Sequence, residues 1–289
     1  MESPAKLIVI VGETASGKSR LGLRLAKQYS GEIICADSWT VYKGFDIGTA
    51  KPSASERRAV PHHLLDIANP TDGFSAAVFK RRATAAIKDI VRRGKLPILV
   101  GGSGLYIDSV LFDYHFMPAG VQGQREELST LTLEELLARI QNAKIDTSGI
   151  DLGNKRRLIR LLETGGQRPL RSSLRPNTLV LGLQISSDEL EEQITKRVDA
   201  MLMEGLEQEV RQLSSKYGWS AEPMKGIGYR EFQAYFAGTQ TLEQIRARII
   251  RSTIQLAKKQ RTWFKRNNSI QRLQNPKQAS PIVKKFLSK

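Results

Sequence analysis

Two kinds of apolar spacing alternate along the chain. Unbroken apolar runs occur in LIVIV at 7–11, EIICAD at 32–37 and LPILVGGSG at 96–104, the pattern of strands buried on both faces. PHHLLDI at 61–67 reads as a further short strand or strand-like loop. Between these runs, SAAVFKRRATAAIKDIVRRG at 75–94 spaces its apolar residues as a helix does. Ser75 can cap its start and Gly94 can close it. One helix is expected to end near Tyr29 and another to begin near Gly104. Strands and helices alternating at crossover length predict a parallel sheet. The alternation breaks at about Met117, where MPAGVQGQ is loop-like. Short helices follow at 132–144 and 154–166, and 113–150 reads as a small helical insertion. NTLVLGLQIS at 177–186 returns to the sheet. A long helix is expected from Ser187 to about Tyr217, then two more at 228–238 and 241–267, and 268–289 has no clear periodicity. The reading is an α/β fold: a core in 1–112 completed by 151–267, the insertion at 113–150, and a basic tail at 268–289.

Composition narrows the class. The 289 residues are 40% hydrophobic, enough for one large core, or for one core with an insertion. Cys35 is the single cysteine, so no disulfide framework is possible and a reducing, cytoplasmic setting is expected. No run of about 18 apolar residues suggests a membrane span, and MESPAK leads into a strand and not into a signal-peptide core. The net charge of +16 is unevenly placed: Arg246 to Lys289 holds thirteen Lys or Arg and no Asp or Glu. Such asymmetry points to a polyanionic partner, the alternative being a solvated basic tail.

GETASGKS at 12–19 has the spacing G-x-x-x-x-G-K-[ST] between a strand and a helix. Gly12 and Gly17 allow the backbone of Glu13, Thr14, Ala15 and Ser16 to wrap an anion. Lys18 adds a point charge, Ser19 can ligate Mg²⁺, and the following helix N-terminus favours negative charge. The sheet is therefore expected to be of the P-loop type. The loop alone leaves open whose phosphate it holds. The strand 98–100 ends in GGSG with no carboxylate, which argues against ordinary nucleotide hydrolysis. Asp37 ends the second strand instead. Carboxyl ends of parallel strands share one edge, so Asp37 is expected to face the phosphate loop, as a magnesium ligand or a proton acceptor. Its alternative is to cap the turn of DSWT.

DSWTVYKGFDIGTAKPS, together with GETASGKS, resembles the tRNA dimethylallyltransferase family. The resemblance continues through PHHLLDI, GFSAAVFKRRA, LVGGSGLYI, NKRRLIRLLETGGQRP, KRVDAMLMEGLEQEV, KGIGYREF and QLAKKQRTWFKRN, collinear over about 7–267. It implies transfer of a dimethylallyl group from dimethylallyl diphosphate to the exocyclic amine of the adenine just 3′ of the tRNA anticodon. Diphosphate is the leaving group, Mg²⁺ the cofactor, and the chain is expected to act as a monomer. By resemblance, Asp37 is the catalytic carboxylate and Arg197 a further diphosphate-binding group. Asp37, Ser38, Trp39 and Thr40 would line the adenine's place, and Ser103 would sit at the channel expected between core and insertion. Arg125, Arg156, Arg157, Arg160, Lys225, Gly228 and Arg230 would meet the tRNA.

This chain departs from the family pattern in places. Glu13 stands where the family's loop has a proline, Thr40 where it has a glutamine, and Ser103 where it has a threonine. Three other readings remain open: a P-loop small-molecule kinase, an isopentenyltransferase acting on free adenylate, and a non-enzymatic RNA-binding protein. Read without the resemblance, the last long helix has Ile249, Leu256 and Trp263 as a core seam and Arg251, Lys258 and Lys265 as a cationic stripe. His62 and His63, adjacent in a strand, point to opposite faces. They read as structural or pocket-lining and not as a metal pair.

Overall fold

The computed structural model of the chain describes residues 5–117 and 123–289. Most of the MPAGVQGQ stretch lies outside the described residues. In chain order the elements are β1 (Leu7–Val11), α1 (Lys18–Gln28), β2 (Gly31–Ala36), α2 (Ala54–Ala59), β3 (His62–His63), α3 (Ala76–Arg92), β4 (Leu96–Gly101), α4 (Gly104–Leu111), α5 (Gln124–Thr130), α6 (Leu133–Asn142) and α7 (Lys155–Glu163). They continue with β5 (Thr178–Leu183), α8 (Ser187–Met203), α9 (Leu206–Tyr217), α10 (Phe232–Phe236), α11 (Leu242–Lys265), β6 (Ile270–Leu273) and α12 (Ala279–Leu287).

Six strands form one sheet in the order β3-β2-β4-β1-β5-β6. Every pairing is parallel, with Ile8 of β1 opposite Ile98 on one side and Leu179 on the other. The unbroken apolar runs follow from this: β1 and β2 are buried along their whole length. Ser75 caps α3 by accepting from the Val78 N–H, and Gly94 follows the helix at φ 69°, both as expected. No helix among the described residues is long and apolar enough to cross a membrane.

PHHLLDI holds the short strand expected of it, two residues paired with β2. Three elements differ from the expected ones. The long helix expected over Ser187–Tyr217 is two helices, because Gly205 adopts φ 98°, a left-handed conformation that ends α8 and opens α9. The insertion does not stop at residue 150: Phe112–Ser173 is a compact unit of its own. The reason is the apolar face of α7. Leu158, Ile159 and Leu161 pack with Leu128 of α5 and with Leu136 and Ile140 of α6. Lastly, 268–289 is not a loose tail. β6 extends the sheet beside β5, and Leu273, Ala279 and Val283 join the cluster formed by Leu21, Leu25 and Ile33.

Candidate functional site

Loop 12–19 leaves the buried end of β1 and turns into α1, with Ala15 at φ 63° and Gly17 at φ 86°. Lys18 folds back, and its Nζ donates to the Glu13 carbonyl oxygen at 3.0 Å. The same carbonyl accepts the Ser16 N–H at 3.2 Å. Asp37 follows β2 and accepts the Trp39 N–H at 2.8 Å, so it also ties the turn that its alternative reading proposed. Arg197 reaches in from α8, and its Nη1 donates to Thr14 Oγ1 at 3.1 Å.

These groups meet in one cavity of about 170 Å³. Thr14, Lys18, Ser19, Asp37, Thr40 and Arg197 are among its polar lining, and Ile33, Cys35, Val100, Ile194 and Leu256 among its apolar lining. Burial, and secondarily Arg197, push the Lys18 ammonium down to about 8, while Asp37 and Glu13 pull it back up. Burial likewise lowers the Arg197 guanidinium, against the pull of Asp37. Two crowded cations sharing a poorly hydrated site are relieved by an anion, which is what a phosphate site requires. Cys35 is held neutral: burial raises its thiol to about 12, so it acts as apolar wall. The Thr40 hydroxyl is buried without a hydrogen-bond partner, as is that of Ser16. Ser19, Asp37 and Thr14 supply hard oxygen donors of the kind Mg²⁺ takes.

Sequence reasoning missed the supports behind this lining. Glu209 of α9 accepts the N–H groups of Asp46, Ile47 and Gly48 at 3.0, 2.8 and 3.1 Å and the Tyr229 hydroxyl at 2.8 Å. It thereby fixes the loop that lends Gly48, Thr49 and Ala50 to the cavity wall. Lys51, almost fully buried, donates to the Tyr42 carbonyl and pairs with Asp46 and Asp66 at 2.7 and 2.5 Å. On α11, Gln260 and Arg261 hold loop 12–19 from the other side. Only the resemblance of GLEQEV, DIGTAKP and AKKQR to a family pattern marked these positions, and it carried no role for them.

The other predicted residues divide. Trp39, Thr40 and Gly228 line the cavity, whereas Ser103 braces it: its Oγ accepts the Ser38 N–H at 3.0 Å. His62 lines the cavity, and His63 pairs with Glu32 at 2.6 Å. Lys225 and Arg230 are exposed and pair with Glu222 and Glu231. Within the Phe112–Ser173 unit, Arg125 and Arg160 share the buried Glu163 carboxylate, and Arg160 also donates to the Met117 carbonyl. Arg156 and Arg157 are exposed on α7. The expected seam on α11 is shifted. Ile245, Ile249, Ala257 and Phe264 are its buried residues, while Leu256 lines the cavity. Trp263 is half-buried, and its Nε1 donates to Asp108 at 2.9 Å.

Known proteins share the family and the fold of this chain. The model of the IPP transferase family matches residues 40–267. The chain is 42% identical to tRNA dimethylallyltransferase 1 of Citrifermentans bemidjiense, over 98% of this chain and 96% of that protein. Among solved structures, a tRNA isopentenylpyrophosphate transferase from Staphylococcus epidermidis is 33% identical, with a TM-score of 0.74 over 98% of this chain and 99% of its own. A eukaryotic dimethylallyltransferase acting on tRNA is 27% identical, with a TM-score of 0.81 over 98% of this chain and 80% of its own.

Proposed function

The chain belongs to the IPP transferase family of tRNA dimethylallyltransferases, and we propose that its reaction joins dimethylallyl diphosphate to the exocyclic amine of the adenine immediately 3′ of the anticodon, releasing diphosphate. One observation carries this reading: a carboxylate, Asp37, lines the same cavity as the cationic set of Lys18 and Arg197.

The adenine amine is a weak nucleophile because its lone pair is delocalised into the ring. Asp37 accepts a hydrogen bond from the amine and orients it. It takes the proton as the nitrogen bonds to the donor's first carbon. The bond from that carbon to the diphosphate oxygen breaks, and the electron pair leaves with the diphosphate. Lys18, Arg197 and the Thr14 hydroxyl offset the charge that builds on the leaving oxygen. Ser19 would hold Mg²⁺, which would supply further charge neutralisation for the leaving group. The apolar lining keeps water from the reacting carbon. Trp39 offers a face to the splayed base, and Thr40 Oγ1 offers it a hydrogen bond.

The test is a transfer assay with labelled dimethylallyl diphosphate and Mg²⁺, with tRNA and AMP as alternative acceptors. Label is expected in tRNA only. Asp37→Asn is expected to lower kcat by about 10²-fold or more while leaving tRNA affinity unchanged. Label in AMP alone, or in neither acceptor, refutes the reading.

A further inference from the structure

We propose that Arg261 and Gln260 of α11, acting through Glu13 and Thr14, are positioning residues that hold loop 12–19 in the shape that binds the donor's diphosphate. The inference rests on the reaction proposed above.

Glu13 occupies the place where the resembling family has a proline, whose ring would fix the backbone covalently. The glutamate is only 6% exposed. A buried carboxylate in a phosphate loop is unfavourable twice: it is desolvated, and it repels the ligand. Arg261 answers both problems. Its Nε and Nη2 donate to the two carboxylate oxygens, the second at 3.0 Å, in the fork geometry that suits a carboxylate. The Glu13 carbonyl oxygen anchors Lys18 Nζ. Fixing the Glu13 side chain therefore fixes the peptide that aims the donor-binding cation.

Gln260 fastens the next residue. Its Oε1 accepts the Thr14 N–H at 2.7 Å, and its Nε2 donates to the Gly102 carbonyl at 3.1 Å. Both amide groups are used, so the loop is tied to the end of β4. Thr14 in turn receives Arg197. Neither Glu13, Gln260 nor Arg261 lines the cavity of Asp37; Glu13 and Arg261 face a separate cleft. Their influence on the donor therefore passes through the loop, not through contact.

The experiment titrates the full chain with inorganic diphosphate and Mg²⁺ in a calorimeter, which needs no prenyl transfer. Arg261→Met leaves Glu13 as an unpaired buried anion, and the diphosphate Kd is expected to rise 10-fold or more. Adding Glu13→Gln to that variant removes the anion. It is expected to bring the Kd back to within about threefold of Glu13→Gln alone, the non-additivity expected of a direct pair. In steady-state assays the Arg261→Met effect should fall on the donor KM, with kcat and tRNA affinity within threefold of wild type. Unchanged diphosphate affinity in Arg261→Met, or no recovery in the double variant, overturns the proposal. If Arg261→Met does not fold, Arg261→Lys keeps the charge but loses the fork; wild-type affinity there overturns it equally. Wild type binding diphosphate without transferring a prenyl group refutes the proposed reaction and leaves this loop fastening in place. Wild type failing to bind diphosphate refutes both.

Discussion

At the scale of single residues, the proposed reaction turns on how a lysine is kept charged in a crowded pocket. Lys18 sits near its titration point because burial and Arg197 oppose its charge. A diphosphate selects the protonated form. As pH rises through about 8, the free protein loses that charge, so kcat/KM for the donor is expected to be flat below about pH 8 and to fall above it. Bound diphosphate stabilises the ammonium, so kcat at saturating donor should hold to higher pH. Lys18→Arg, charged throughout, should remove the fall. A kcat/KM profile flat to pH 10 in the wild type would show that burial does not lower the Lys18 ammonium in the free protein. Lys18 and Asp37 were legible in the sequence, one in a contiguous motif and the other at a strand end, whereas Arg197, inside α8, was marked only by the family resemblance. Gln260, Arg261 and Glu209 were not legible. Their partners lie far away in the chain, at Thr14, Glu13 and the loop from Asp46 to Gly48. No periodicity encodes such a meeting.

At the scale of elements, α11 sits close against the start of α4, and glycine is what lets it approach. A Cβ on Gly104 would lie 2.4 Å from the Trp263 ring. The central strands and α3 were legible because burial on both faces leaves an unbroken apolar signature. The last strand and helix were not legible. Ile270 and Leu273 are the inward residues of a four-residue strand whose middle positions are polar, and basic residues dominate the surrounding stretch. A chain ending at Asn267 tests their weight. It would lose the buried Ile270, Leu273 and Val283 and uncover the edge of β5. At about 1.5–3 kcal/mol for each large apolar side chain, the loss approaches the whole stability of an ordinary domain. Urea unfolding is expected to show a midpoint lowered drastically, or no cooperative transition. An unchanged midpoint would return 268–289 to the status of a basic arm. Similarly, α7 read as part of the core because its apolar face has no sequence mark saying which partner it meets; α5 and α6 supply that partner.

At the scale of the whole molecule, the charge asymmetry was plain in the sequence, but the assignment of each cation was not. Several cations of the basic C-terminal region are engaged within the protein. Arg246 forms a bidentate pair with Asp199, Arg261 is bound to Glu13, and Arg248 donates to Gln240. Arg251, Lys258, Lys259 and Lys265 are exposed on α11 and present their charge to solvent. If these four each neutralise one tRNA phosphate, counterion release sets the salt response. Affinity for tRNA is expected to fall on the order of 10²-fold between 50 and 200 mM salt. Each of Lys258→Ala and Lys259→Ala should lower the slope of log K against log salt by about 0.7–0.9. Arg246→Ala should leave the slope unchanged, because its guanidinium is already spent on Asp199. Filter binding of tRNA over a salt series reads all three. A wild-type affinity indifferent to salt, or lysine variants with the wild-type slope, would remove α11 from the RNA interface. The basic charge would then serve the fold and its solvation alone.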